Sequence, residues 1–489
     1  MSEIPKAIQP IYQCEENQPI LLYEGEMELV EDSQVTLGYG KIEFTWLPKT
    51  GIKFSIHYDS DGIVDFDDIP NSGKDILLGF SMPELSIEKL FAKAHIFQKA
   101  SSDVITSFNG YLSRFELGNG SELSYVVFHL TNFINYFAPG VKKPIGNANR
   151  LIIESTEWRI TIDSTNNESI NSLEDNGGYA ITHMGRLERI DGCNFSSQDA
   201  EEILLGLNYF FSFVVGRWVS PALPVGFNST DQRVWEKWLH YRTGYYHGSV
   251  DSWFPNLNTT DVSVVFTGFM ELWIIKSWKE ALKLLINWYV ESNISGIEQA
   301  IPMTQFAFEL LAWIILIDDQ PEFNAKKIVV PKKYTAKELF KMTPTAKKIR
   351  LLFSSLGIPV TMPPISRTQD LFLDELKSML LRLQEEDKLE KEEKRKPDKS
   401  IKEDNYLLDC VRCITEVRNR IVHPKKNVNS ETLLKYSTPE REEVSNLCIW
   451  YLELCLLRLF GYEGIYRNRL YKPLVKSEDD NYDKVPWTL

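Results

Sequence analysis

Residues 196–219 read SSQDAEEILLGLNYFFSFVVGRWV. Ser196-Ser197-Gln198-Asp199 supplies hydroxyl caps and then carboxylates in the first turn, where the helix dipole favours negative charge. An apolar run from Ala200 to Val219 follows, so a helix is predicted here, and the texture of the whole chain changes at this point. Before Asn194, short segments alternate with period two: Ile42, Phe44 and Trp46, then Phe54 and Ile56, then Trp158, Ile160 and Ile162. Lys49-Thr50-Gly51, Asn71-Ser72-Gly73, Gly118-Asn119-Gly120 and Asn176-Gly177-Gly178 punctuate them as turns. Alternation interrupted by turns predicts antiparallel strands with one buried face.

Working outward, the expected fold class is α+β. An antiparallel β-rich domain, sandwich-like or barrel-like, over residues 1–195 precedes an all-α region. That region divides into an aromatic-rich helical connecting segment, 196–294, and a helical bundle, 295–489. Helices are expected at 262–290, 302–317, 336–356, 368–389, 405–422 and 439–460, with Pro344 interrupting the third. Eight of the twelve tryptophans lie between Trp218 and Trp313, which reads as a bulky aromatic core, with a base-stacking platform as the alternative. The charge run EEDKLEKEEKRKPDKSIKED, 385–404, is taken as an insertion between two apolar helices, either a solvated helix extension or a loop.

Charge separates the two parts. Residues 1–200 hold 15 Lys and Arg against 29 Asp and Glu, a net −14, whereas residues 201–489 hold 39 of each. A segment so acidic is a poor platform for phosphate backbones, so any nucleic-acid contact belongs in the second part. Six cysteines are too sparse for a disulfide scaffold. MSEIPKAIQP has no basic region followed by an apolar one, and the apolar runs near 203–215 and 306–317 fall short of the roughly 20 residues of a membrane span. A cytoplasmic protein without membrane contact is the expectation.

Several chemistries lack their motif. The chain has no GxxxxGK[ST] loop, no strand-linked GxGxxG, no HExxH and no GxSxG. Cys410 and Cys413 form a CxxC, but with no second pair or histidine at finger spacing they read as neighbours on one buried helix face.

The candidate site is Glu416-Val417-Arg418-Asn419-Arg420-Ile421-Val422-His423-Pro424, at the end of an amphipathic helical pattern. On an ideal helix, positions five apart point about 140° from each other. Pro424 disfavours the α region for His423, which places that residue at or just beyond the helix end, where its imidazole can swing toward Arg418 and Asn419. A titratable imidazole beside a fixed cation suits phosphodiester cleavage: one moves a proton, the other holds the phosphate. Spacing alone selects nothing. Arg followed by His five to seven positions later is expected about 0.8 times by chance, and it also occurs at Arg233–His240 and Arg242–His247. Those lie in or beside the aromatic segment WEKWLHYRTGYYHG, 235–248, and read as a packed aromatic turn.

A helical bundle carrying Arg418-Asn419-Arg420-Ile421-Val422-His423 resembles a HEPN domain, and the β-rich domain ahead of it resembles the layout of ApeA-type anti-phage proteins. The resemblance implies a metal-independent endoribonuclease with an Arg-x4-His site and no cofactor. His423 would act as general base or acid, Arg418 would hold the scissile phosphate and Asn419 would orient the pair. Two bundles would face one cleft in a homodimer, and the substrate would be RNA, with tRNA a family-level expectation. Arg420, Lys425 and Lys426 are the expected RNA-backbone contacts; Lys347, Lys348 and Arg350 are a weaker set that reads better as a solvated helix face. The β-rich domain would restrain the nuclease until a trigger such as a phage protein arrives. Structural alternatives stay open: His423 could cap the helix and Arg418 could pair with Glu416. The chain could also be a non-catalytic HEPN-like scaffold, or a ligand-binding β-domain protein whose helices are structural.

Overall fold

The computed structural model describes residues 6–12, 15–31, 34–59, 76–101, 105–134, 136, 140–142, 147–165, 167–248, 250–254, 262–318, 336–361, 374–393, 408–422, 435–471 and 482–488. Its architecture is α+β: a β-rich region followed by a mostly helical one. The chain forms two compact units. The first comprises Met1–Phe211, Trp218–Ser249 and Asn256–Thr259; the second comprises Ser212–Arg217, Val250–Pro255 and Thr260–Leu489.

In the first unit, β1 (Ile20–Glu31), β2 (Gln34–Thr45), β3 (Gly51–Asp59), β4 (Ile76–Met82), β5 (Ile87–Ser101) and β6 (Ile105–Leu112) form a closed antiparallel barrel ordered β1-β2-β3-β6-β5-β4. The alternating residues Ile42, Phe44, Trp46, Phe54 and Ile56 are all buried. Closure comes from β1 against β4, with Met27 opposite Phe80 and Val30 opposite Leu77. That pairing makes this part of the expected β-rich region a barrel, which has no unpaired strand edge.

The second sheet has eight strands: β7 (Phe115–Gly118), β8 (Tyr125–Thr131), β9 (Gly140–Lys142), β10 (Asn147–Glu154), β11 (Trp158–Ser164), β12 (Ile181–Arg189), β13 (Pro221–Phe227) and β14 (Arg233–Trp238). Their order is β7-β14-β13-β8-β12-β11-β10-β9. Helix α1 (Asn167–Asn176) lies between β11 and β12 in the chain, and α2 (Ser197–Val215) between β12 and β13. Gly177-Gly178 ends α1 with both residues at positive φ, +67 and +107, and an added Cβ on Gly178 would collide with the Asn17 side chain.

The expected boundary at 195 does not coincide with the end of this sheet. β13 pairs with β8, and β14 pairs with β7 through Trp238 opposite Phe115. Residues 221–238 are therefore sheet, not part of a helical connecting region. β13 is buried on both faces along most of its length, so it shows no period-two signal. Barrel and sheet share one core, in which Phe80 stacks on Trp238 and Trp46 on Tyr179.

Helix α2 begins as its sequence predicts. The Ser196 amide and hydroxyl both donate to Asp199 Oδ2, and the Asp199 amide donates back to Ser196 Oγ at 3.2 Å. It buries Ala200, Ile203, Leu204, Leu207 and Phe211, and the Phe211 ring meets Phe133 edge-on at 5.3 Å. It stops at Val215 rather than Val219 because Gly216 takes a left-handed conformation, φ +79.

The second unit holds α3 (Val262–Trp273), α4 (Lys276–Ile294), α5 (Ile297–Trp313), α6 (Ala336–Met342), α7 (Thr345–Leu356), α8 (Asp374–Glu393), α9 (Cys410–Val422) and α10 (Thr438–Leu459). A two-stranded ladder, β15 (Ile465–Arg467) with β16 (Tyr482–Lys484), completes it. Helix α10 starts in a capping box between Ser437 and Glu440 and is buried on every side, as a central helix must be. It contacts α4, α5, α7, α8 and α9, while α5 also packs on α4 and α7.

Helix α5 begins at Ile297, five residues before the expected start, and carries Pro302 inside it. Burial of Ala300 and Ile301 offsets the hydrogen bond that proline cannot donate. With the π-helical turn Ile314–Asp318 it forms one continuous helix, Ile297–Asp318, whose length and composition would allow it to cross a membrane. In this fold 61% of its most apolar window is buried inside the structure. Helix α8 extends the charged segment as helix to Glu393; positions 394–404 of the expected insertion lie outside the described residues.

Candidate functional site

Helix α9 is anchored at its start. Asp409 accepts from the Arg412 amide at 2.9 Å, and a guanidinium fork from Arg350 on α7 grips the same carboxylate at 2.7 and 3.0 Å. Arg350 therefore serves the fold rather than a solvated helix face, and Lys348 lies over the Phe340 ring at 4.6 Å. Along α9, Cys410, Val411, Cys413, Ile414 and Val417 are buried. Burial pushes the Cys410 thiol up to about 12 and raises that of Cys413, so both are inert core thiols, as the sequence predicts.

The polar end of the same helix emerges in its last turn. Arg418 is half-buried, Asn419 exposed and Arg420 half-buried. Arg418 Nη1 donates to Asn419 Oδ1 at 3.2 Å, so the two neighbouring side chains meet. The described helix runs to Val422. His423, Lys425 and Lys426 lie outside the described residues.

Tyr436 was not legible as part of this region. Its side chain is buried, burial raises its hydroxyl pKa first and the charge of Glu416 adds to this, while Arg420 opposes both. It therefore lies within electrostatic reach of the last two turns of α9. A single tyrosine in a polar stretch offers no sequence signal for that position.

The two other Arg–His pairs belong to the first unit. Arg233 serves a buried network: it donates to the Tyr12 hydroxyl at 3.1 Å and pairs with Glu236 and Glu84, while Tyr12 donates to Glu236 at 2.5 Å. His240 and Arg242 line a cavity in that unit, and the Arg242 guanidinium lies 3.7 Å from the Trp218 ring centroid. His247 is exposed beside Tyr245. Among the described residues, no group of three or more His, Cys, Asp or Glu is placed to hold a metal ion.

The fold and this site define an α+β chain in which a barrel and a large sheet precede a helical bundle presenting an Arg-Asn pair at a helix end. Two segments of the chain match domain models of the YopA family. Residues 118–249 match the YopA central domain and residues 275–480 the YopA C-terminal domain. It is 26% identical over 486 residues to the SPbeta prophage-derived protein YopA of Bacillus subtilis (strain 168), an alignment covering 96% of this chain and 95% of that relative. No solved structure matches. The central-domain match contains β13 and β14.

Proposed function

We propose that this chain is an endoribonuclease of the HEPN type acting in anti-phage defence. The observation that carries this reading is the side-chain contact between Arg418 and Asn419 in the last turn of a bundle helix, directly before His423-Pro424 in the sequence. A helix C-terminus carries partial negative charge that would repel a phosphate. Arg418 and Arg420 reverse that sign locally, with Lys425 and Lys426 next in sequence. The same negative end favours imidazolium, which suits a histidine that must also donate a proton.

In the proposed reaction, His423 accepts the proton of a ribose 2′-hydroxyl as its oxygen attacks the adjacent phosphorus. The bond to the 5′-oxygen breaks, and that oxygen leaves with a proton. The products are a 2′,3′-cyclic phosphate and a 5′-hydroxyl, and the step requires no metal ion. Arg418 holds the non-bridging oxygens as charge develops on them, and Asn419 keeps the guanidinium in place. A second bundle in a homodimer would complete the cleft, with tRNA as the first substrate to examine. The acidic first unit would keep RNA away until a phage protein releases the restraint. The prophage origin of the Bacillus subtilis relative supports a setting in which phage is the counterpart.

The test compares wild type, His423→Ala and Arg418→Ala, each with unchanged melting, on total RNA in EDTA, with and without lysate from phage-infected cells. The expected result is cyclic-phosphate ends from wild type alone, with each variant at least about 100-fold slower. Equal cleavage by all three proteins, or none in either condition, overturns the reading. Removing residues 1–195 is not a clean test of restraint, because it strips β7 and β8 from β14 and β13.

A further inference from the structure

The first unit contains a cavity of about 400 Å³ between the opening turns of α2 and the end of β14. That volume falls within the range of small-molecule pockets, about 300–1,000 Å³. Its walls are largely apolar, formed by Leu204, Leu205, Pro221, Pro224 and Leu239. Lys237 reaches into it from β14, although the residue is only 4% exposed.

At the polar end, two cations converge on one carboxylate. Lys237 Nζ pairs with Glu201 Oε1, and Arg114 Nη2 donates to Glu201 Oε2 at 2.8 Å. Each oxygen of Glu201 thus faces one cation. Glu116 is farther away, 3.9 Å from Lys237. On another wall, the His240 Nδ1–H donates to the Thr50 carbonyl at 2.7 Å.

The Glu201 side chain keeps 28% of its surface exposed and stands in the first turns of a helix, so a rotamer change can carry it into water. Buried Lys237 cannot follow it. We infer that this cavity binds a small oxyanion on an apolar body, a carboxylate or phosphate monoester whose head group replaces Glu201 between Lys237 and Arg114. Glu201 is the resident counter-ion in this scheme, which is why a bidentate anion matches the grip already present. The inference stands apart from the ribonuclease reading, since every residue it uses lies in the first unit.

The test uses the full chain and a matched pair of probes, phenyl phosphate and phenylacetate, with inorganic phosphate as the head group alone. Calorimetric titration should give saturable one-to-one binding of at least one phenyl probe, and the preferred head group identifies the ligand class. Glu201→Gln should tighten it several-fold, because the competing carboxylate charge is gone. Arg114→Ala and Lys237→Met should each weaken it by about tenfold or more. Arg114 is largely exposed, so its variant keeps the test valid if Lys237→Met fails to fold. Two outcomes overturn the inference: no saturable binding of either phenyl probe to wild type or Glu201→Gln up to about 10 mM, or binding indifferent to all three substitutions.

Discussion

Arg469 holds Glu453 with two arms, Nε to Oε2 at 3.0 Å and Nη2 to Oε1 at 2.6 Å, in a site closed to solvent. The Tyr289 hydroxyl donates to the same carboxylate at 2.8 Å, and Arg469 Nη2 also reaches the Asp251 carbonyl at 3.0 Å. These bonds tie α4, α10, the 250–254 segment and the chain beyond β15 into one network within the second unit. A buried pair of this kind stabilises only while both partners are present.

Arg469→Met should therefore destabilise the second unit by about 3–5 kcal/mol, because it leaves an uncompensated charge among apolar groups. Burial already raises the Glu453 carboxyl pKa, against the opposing charge of Arg469. The double variant Arg469→Met/Glu453→Leu should recover much of the loss. Urea titrations of the three proteins measure this, and a double variant no more stable than the single one would contradict it.

Asp409 has two tasks, capping α9 and receiving Arg350 from α7. Asp409→Asn keeps an oxygen for the Arg412 amide but loses the charge, whereas Asp409→Ala loses both. The melting temperature should fall in the order wild type, Asn, Ala, with about 1–2 kcal/mol attributable to the cap alone. If the ribonuclease reading holds, Asp409→Ala should also slow cleavage, because the start of α9 sets the direction of the end that carries Arg418.

His129 is fully buried, its Nδ1 is 3.2 Å from the Ala222 carbonyl and its ring is 5.5 Å from Tyr12. Burial pushes its pKa down to about 4, against backbone hydrogen bonds to Ala222 and Leu223 that raise it. An unfolded histidine titrates near 6.5, so between roughly pH 6.5 and 4 the unfolded state binds the extra proton. This contribution is complete above 6.5 and is lost as the pH falls toward 4, a difference of about 3 kcal/mol. His129→Leu should flatten the pH dependence of the urea midpoint between pH 7 and 4 by close to one proton.

Burial, with Arg114 nearby, pushes the Lys237 ammonium down to about 8, and Glu116 opposes this. His240, Arg242 and Glu202 line the same cavity. An oxyanion prefers the charged lysine, so probe affinity should drop by up to about tenfold between pH 7 and 9. In the Lys237→Arg variant, which stays charged, that drop should vanish.

Much of this protein was legible because it is locally encoded. The Ser196–Asp199 cap, the Lys49–Gly51 turn, the inward alternation of β2 and β3, and the buried face with Cys410 and Cys413 each depend on residues within a few positions of one another. The adjacent Arg418 and Asn419 were readable for the same reason.

Other features required the folded chain. Barrel closure joins Met27 to Phe80, and nothing near either residue announces the other. The strands β13 and β14 hide in an aromatic stretch because burial on both faces erases alternation, and pairing with β8 and β7 supplies the register. Lys237, Glu201 and Arg114 are ordinary surface residues by sequence; the sheet and α2 bring them to one carboxylate. Local patterning records which face of an element must avoid water. Which distant element covers that face depends on strand pairing and packing across the chain, and these also decide where charges are forced together.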